Sequence, residues 1–164
     1  LIGALIGAPL ASFLSSKLEE IKRPYIFVHV ILVCCWSVFV VYHGSPPSNV
    51  LTVLFFIIGL AYGANALTFA AVRQTFSIKE AGIVSGFANT GGFLSAVLLP
   101  TIFGKILDYF QLVTGNSVNG YYYGFMTPVI FSFIGLIGVL MVTEKSLDVT
   151  RKLSSVDEKN RVIK

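Results

Sequence analysis

Four apolar segments of about twenty residues or more constrain this chain more than any other feature of its sequence. They cover residues 25–43, 50–72, 81–107 and 121–143, and a fifth apolar segment covers residues 1–14. A helix that crosses the hydrocarbon core of a bilayer needs about 20 mostly apolar residues. The segment lengths therefore predict an all-α fold class, a polytopic transmembrane helix bundle that occupies residues 1–143.

β-Strands are the competing assignment because Val, Ile and Phe are abundant, but both length and pattern argue against them. The strands of outer-membrane barrels are about 10 residues long and alternate apolar with polar residues, whereas Tyr25–His43 shows no alternation. A helix also satisfies its own backbone hydrogen bonds, which lipid cannot do. Only 12% of the residues are charged, about half the share of a typical soluble domain, so a water-soluble globule is excluded.

The two ends of the chain differ in character. Leu1 lies inside an apolar segment and no charged stretch precedes it, which is not the pattern of a signal peptide. We therefore expect the chain to be the C-terminal piece of a longer protein. Residues 144–164 are polar, and we expect them to form a cytoplasmic tail.

The distribution of basic residues predicts the orientation in the membrane. Successive connections alternate between the two sides, so the first connection, the third connection and the tail share one side. Short segments rich in Lys and Arg remain in the cytoplasm. We therefore predict an integral, multi-pass protein of the plasma membrane with a cytoplasmic C-terminus. Lys105 lies on the opposite side, and the shared side holds Lys17, Lys22, Arg23, Arg73, Lys79, Lys145, Arg151, Lys152, Lys159, Arg161 and Lys164.

Several other functions lack the residues that they need. A nucleic-acid surface requires basic residues gathered on one face, and here they are dispersed, so we predict no nucleic-acid partner. Cys34 and Cys35 are adjacent and point about 100° apart on a helix, so they are poorly placed to bind one metal ion. His29 and His43 lie about 21 Å apart along one helix, so they cannot share one either. No Gly-rich phosphate loop or paired-carboxylate site is present. We predict no metal, no cofactor and no enzymatic activity.

Glycines recur four residues apart in three of the apolar segments. Small residues at this spacing let two helix backbones approach closely in lipid. The pattern fits static packing and packing that slides during a transport cycle equally well, so both interpretations remain open. The pairs are Gly3 with Gly7, Gly59 with Gly63, and Gly82 with Gly86.

Polar residues inside the apolar segments are rare. Tyr62 and Asn65 lie in the third segment, and Asn89 and Thr90 lie in the fourth. Polar groups at membrane depth usually face protein or a water-filled path. Tyr62 and Asn65 are three residues apart and would share a face of a continuous helix. The two pairs could line one cavity, or each residue could make an ordinary hydrogen bond between helices.

Two stretches of the chain carry a family resemblance. Residues 7–24, GAPLASFLSSKLEEIKRP, open with a glycine, continue with a small residue and a lysine, and close with a basic pair. Residues 81–108, AGIVSGFANTGGFLSAVLLPTIFGKILD, combine spaced glycines, an asparagine, a late proline and a closing Gly-x-x-x-Asp. They resemble the loop between the eighth and ninth helices and the eleventh helix of the major facilitator superfamily. Ser16 stands where the family usually has an aspartate. The matching positions are Gly7, Ser12, Lys17, Lys22, Arg23, Gly82, Gly86, Asn89, Gly92, Pro100, Gly104 and Asp108.

The resemblance implies a secondary transporter that moves a small solute by alternating access, present here as helices eight (in part) to twelve of its C-terminal bundle. The implied partners are the lipid bilayer, a small-molecule substrate and the missing N-terminal helical bundle of the same transporter, without which we expect no transport. The tenth and eleventh helices face the cavity in such a fold. The implied substrate contacts are Tyr62, Asn65, Asn89 and Thr90, and the implied cytoplasmic gate comprises Lys17, Lys22, Arg23 and Arg73.

Two alternatives stay open at this point. The first is a small, non-transporting membrane subunit that packs against a partner membrane protein through its glycine faces. The second is an integral membrane enzyme, against which the lack of catalytic motifs argues. Seven further apolar spans upstream of Leu1 would favour the transporter over the subunit.

Overall fold

The computed structural model of the protein describes residues 1–18, 21–115 and 117–141. Within those ranges the chain is helical almost throughout and contains no strand, which confirms the all-α prediction. The tail at residues 144–164, predicted to be cytoplasmic, lies outside the described residues. The helices are α1 (Ile2–Leu18), α2 (Lys22–Val41), α3 (Ser48–Gly63), α4 (Ala66–Thr75), α5 (Ile78–Tyr109) and α6 (Ser117–Met141), and a π-helical turn, Phe110–Thr114, follows α5.

Four helical segments of the described chain are long and apolar enough to cross a membrane. They are α2, the pair α3 and α4 taken together, α5 with its π-helical turn, and α6. Helix α1 is shorter but equally apolar. Together with the chemistry of lipid, which supplies no partner for exposed backbone groups, this makes the protein an integral, multi-pass membrane protein.

Helices α1 and α3 run parallel and pack backbone to backbone through glycines. The space that a Cβ on Gly3 would need is filled by the carbonyl oxygen of Phe56, and the space beside Gly7 is filled by the carbonyl of Leu60. A Cβ on Gly63 would lie 2.7 Å from the Gly7 Cα. Two of the three predicted glycine pairs therefore pack against each other, as small residues do between membrane helices.

An aromatic cluster joins α2, α3 and α6. Phe39 is 1% exposed, and its ring stacks on that of Phe125 with centroids 4.6 Å apart. Trp36 lies beside both rings, and Cys35 and Leu54 complete the buried set. Stacked and tilted aromatic pairs add stabilisation beyond their buried area, so this cluster is the main apolar contact between these helices.

Helices α2 and α6 run antiparallel along their whole length. At one end, the Lys22 Nζ donates a hydrogen bond to the Leu140 carbonyl oxygen at 3.0 Å. At the other end, Gly44 turns the chain with φ of +80°, and a Cβ there would lie 2.5 Å from the Cβ of Tyr121. Gly44 thus has two reasons to be glycine, the left-handed backbone and the close approach of α6.

Helix α5 is packed at one end and open over the rest. Its last turns meet α6, where a Cβ on Gly120 would lie 3.1 Å from Leu107 and one on Gly124 would lie 2.9 Å from Phe103. No described side chain of α5 is buried. A Cβ on Gly82 or Gly86 would meet no atom within 4 Å of it, so the third predicted glycine pair has no packing partner among the described residues.

Candidate functional site

The third apolar segment does not form one continuous helix. Helix α3 ends at Gly63 and α4 begins at Ala66, so the expectation of one continuous helix through Tyr62 and Asn65 needs correction, whereas their spacing of three residues still places them on the same side. The N–H of Ala64 donates to the carbonyl of Ala61, and that of Asn65 donates to Tyr62, both at 3.1 Å and both three residues back. Such 3₁₀ geometry inside a helix is tighter than α-helical geometry and marks a hinge or a strained sequence.

We use the term break for residues 64–65, and its two residues face different surroundings. Ala64 is 1% exposed and packs with Ala11, Ile21 and Leu67 in a small core between α1, α2 and α4. Asn65 is exposed. The break is therefore anchored on its apolar side, and its polar side chain points away from that core.

A chain of polar groups connects Asn65 to α2. The Tyr25 hydroxyl lies 2.7 Å from the Thr68 Oγ1, and the Thr68 hydroxyl donates to the Asn65 Oδ1 at 3.4 Å. The His29 Nδ1 lies 2.9 Å from the Tyr25 carbonyl oxygen, and the His29 ring rests against Gly135 of α6, where a Cβ would lie 3.1 Å from it. The predicted residue Asn65 is thus tied to a second helix.

The other predicted path residues lie on open faces. Tyr62, in the last turn of α3, is 71% exposed. Asn89 and Thr90 lie exposed in the middle of α5, and the Thr90 hydroxyl donates to the carbonyl of Gly86 in its own helix at 2.9 Å. Tyr62 therefore lies just before the break and Asn65 within it, whereas Asn89 and Thr90 belong to a separate face that the described helices do not cover.

The basic residues predicted for the cytoplasmic gate lie near helix ends. Lys17 is in the last turn of α1, Arg73 is in the last turn of α4, and Lys22 and Arg23 begin α2. Basic side chains in a final turn complement the negative end of the helix dipole. Lys22 does this across helices, because it binds the last turn of α6 through Leu140.

Helix α5 also begins with a polar capping interaction at this end of the bundle. The Glu80 carboxylate accepts hydrogen bonds from the backbone N–H of Ser77 at 3.2 Å and from its hydroxyl at 2.7 Å. A carboxylate in the first turn satisfies backbone donors that the helix leaves free. The start of α5 is therefore fixed locally, beside the end of α4.

An apolar groove of about 150 Å³ lies between α1, α2 and α3. Gly7, Ala11, Phe27, Ile31 and Leu60 are among the residues that line it. It does not include the predicted polar residues. Among the described residues, His, Cys, Asp and Glu side chains form no group of three that could hold a metal ion.

Two residues of the polar chain were not singled out by the sequence. Tyr25 and Thr68 are separated by more than forty positions, and each resembles an ordinary interfacial aromatic or helical threonine. Only the packing of α2 against α4 brings their hydroxyls together. The one signal in the sequence was the position of Thr68, a polar residue that lies one helical turn after Asn65.

Comparison with known proteins identifies the family. The family model described as Major Facilitator Superfamily matches residues 1–162, nearly the whole chain. The comparison with curated proteins and the comparison with solved structures returned no match. The match agrees with the resemblance carried by residues 7–24 and 81–108, and with the four apolar helices that can span a membrane. The chain belongs to the Major Facilitator Superfamily, a family of membrane transporters.

Proposed function

We propose that this chain forms the C-terminal part of a secondary transporter and that the break and the middle of α5 line its solute path. The observation that carries the proposal is the exposure of polar side chains at membrane depth. Tyr62, Asn65, Asn89 and Thr90 are all exposed in the described bundle. Lipid offers such groups no hydrogen-bond partner, so they face water, a solute or another part of the protein.

The missing wall of that path is the N-terminal bundle of the same transporter. The first half of α5 exposes large apolar side chains as well as polar ones, including Ile83 at 77% and Phe87 at 82%. Gly82 and Gly86 leave room on the same helix for another backbone to approach. A second bundle would cover this surface, and we expect the chain to transport nothing without it.

The gate and the orientation belong to the same proposal. Lys17, Lys22, Arg23 and Arg73 lie near the ends of α1, α2 and α4 that we assign to the cytoplasm. Their charges favour that side because short basic segments are retained there. In this proposal the protein lies in the plasma membrane and its C-terminus is in the cytoplasm. Opening and closing of this end would bring the basic residues together and apart.

Substitution of the two path asparagines tests the proposal in the complete transporter. Asn65→Ala and Asn89→Ala should each lower the uptake of the transported solute about three- to tenfold, the effect of one lost hydrogen bond. A panel of labelled metabolites, supplied with and without a proton gradient, identifies that solute first. Membrane abundance should stay unchanged.

Asn49→Ala is the matched control, because Asn49 is an exposed asparagine in the first turn of α3, away from the proposed path. Its uptake should equal that of the unmodified protein. Unchanged uptake in both Asn65→Ala and Asn89→Ala would remove these residues from the path.

A non-transporting membrane subunit is the second candidate. The open glycine face around Gly82 and Gly86 favours it, since such a face also suits a separate partner protein. The metabolite panel separates the two candidates. Uptake by the complete protein supports the transporter, and no uptake of any metabolite together with co-purification of a membrane partner supports the subunit.

A further inference from the structure

The break at residues 64–65 needs a contact that holds it. Four backbone N–H groups at and just after it, those of Ala64, Asn65, Leu67 and Thr68, donate to carbonyls three residues back. Runs of this geometry are short in proteins because their hydrogen bonds are poorer than α-helical ones. Without an outside contact, the segment could relax toward a regular helix and rotate Asn65 away from its present direction.

The outside contact comes from Tyr25. Thr68 has one hydroxyl proton, which it donates to the Asn65 Oδ1. When Thr68 donates in this way, the 2.7 Å hydrogen bond between the Tyr25 and Thr68 hydroxyls takes its proton from Tyr25. The chain therefore runs in one direction, from Tyr25 through Thr68 to Asn65, and each hydroxyl in it has a partner that lipid could not supply.

Tyr25 is itself held by two contacts with His29, one turn further along α2. Its ring meets that of His29 edge-on, with centroids 4.7 Å apart and planes at 90°. Its own carbonyl oxygen lies 2.9 Å from the His29 Nδ1. The start of α2 is anchored beside it, because Ile21 is 4% exposed and packs with Ala64 and Leu67. A fixed donor thus faces the break from a neighbouring helix.

We propose that Tyr25 is a positioning residue for transport: through Thr68 it fixes the break between α3 and α4 and the direction of the Asn65 side chain. The role rests on the proposed function of Asn65 in the solute path. It does not require Tyr25 to touch the solute. Hydrogen bonds in such a chain reinforce one another in a low-dielectric environment, so loss of either hydroxyl should loosen the whole chain.

Amide hydrogen–deuterium exchange of residues 64–68, in the complete transporter in lipid nanodiscs, tests the proposal without knowledge of the solute. Tyr25→Phe and Thr68→Val each remove one hydroxyl and keep the shape of the side chain. Each should speed the exchange of these amides about two- to tenfold, as expected for one hydrogen bond. Because both act on one chain, the double variant should exchange no faster than the faster single variant.

Two control variants separate the hydrogen bond from general packing. Thr68→Ser keeps the hydroxyl and should exchange like the unmodified protein. Tyr42→Phe makes the same chemical change as Tyr25→Phe at the other end of α2 and should leave residues 64–68 unaffected. Unchanged exchange in Tyr25→Phe and Thr68→Val, or equal acceleration in Tyr42→Phe, would overturn the proposal.

Uptake of the solute identified by the metabolite panel then distinguishes this proposal from the one on which it rests. We expect Tyr25→Phe to raise KM for the solute and to change kcat less, because the binding side chain is misplaced and no reacting group is lost. If exchange is faster in Tyr25→Phe but uptake is normal in both Tyr25→Phe and Asn65→Ala, the hydrogen-bond chain is supported and the path role of Asn65 is refuted. Reduced uptake in Asn65→Ala with unaltered exchange in Tyr25→Phe would refute the role of Tyr25 alone.

Discussion

At the scale of single residues, Gly7 shows how closely two helices of this protein approach. A side chain at position 7 would occupy the space of the Leu60 carbonyl oxygen and lie 2.9 Å from the Leu60 Cα. Backbone atoms cannot rotate aside as the end of a flexible side chain can. The contact between α1 and α3 therefore requires glycine at this position, and the same contact lies next to the break.

Gly7→Ala should destabilise the bundle by about 1–3 kcal/mol, the usual cost of overpacking a tight contact. The matched control is Gly138→Ala, because a Cβ at Gly138 of α6 meets nothing within 4 Å. That change should be neutral or slightly stabilising, since alanine favours a helix over glycine. Thermal unfolding of the two purified variants in detergent measures the difference. Equal midpoints would contradict the packing described here.

Sequence spacing predicted these glycine contacts only in part. The pair Gly3 and Gly7 packs against the pair Gly59 and Gly63. A Cβ on Gly82 or Gly86, in contrast, would meet no described residue. Spacing identifies a helix face that can be approached closely, but it does not specify the partner. That choice depends on the order and tilt of the helices, which no local pattern encodes.

At the scale of helices, the aromatic cluster around Phe39 holds α2, α3 and α6 together. Phe39 contacts Phe125 of α6 and Phe55 of α3, with centroids 4.6 Å and 5.8 Å away. In lipid, removal of apolar surface from water contributes little to this contact, because the lipid tails are themselves apolar. The stabilisation comes instead from close packing of the rings.

Phe39→Ala should therefore destabilise the bundle mainly through the cavity that it leaves. A cavity of about 100 Å³ at roughly 24 cal/mol per Å³ amounts to about 2 kcal/mol. Phe133→Ala, at a position of α6 that is 53% exposed, makes the same change without a cavity and should have little effect. Unfolding of each variant by denaturant in mixed micelles gives the two values. A larger effect at Phe133 would show that the cluster is not the core.

The spans could be predicted at this scale, but the break could not. Apolar length alone located the four spans, because bilayer thickness sets the length of a helix that crosses it. Gly63 and Asn65 are tolerated inside membrane helices, so no local pattern indicated a division of the third span. The division accompanies the close approach of Gly7 to Gly63 and the hydrogen bond between the Thr68 and Tyr25 hydroxyls, both of which are tertiary contacts.

At the scale of the whole molecule, packing and charge both group the basic helix ends at one end of the bundle. The start of α2 meets the end of α6 through Lys22 and Leu140. Helix α1 runs parallel to α3, and α4 continues α3 in the same direction, so α1 and α4 end on the same side of the bundle. The ends that carry Lys17, Lys22, Arg23 and Arg73 therefore lie together. The sequence predicted this grouping from charge alone. It could not predict which polar residues the proposed N-terminal bundle would cover, because that surface would be formed with atoms outside this chain.

The central claim is that these helices cross a bilayer with their basic ends in the cytoplasm, and labelling from each side tests it directly. In the complete transporter without native cysteines, Ser45→Cys and Ser77→Cys place single thiols at opposite ends, at exposed positions. A membrane-impermeant maleimide should label Ser45→Cys in intact cells and Ser77→Cys only in inverted vesicles or after permeabilisation. Labelling of both from the same side, or the reverse pattern, would contradict the account.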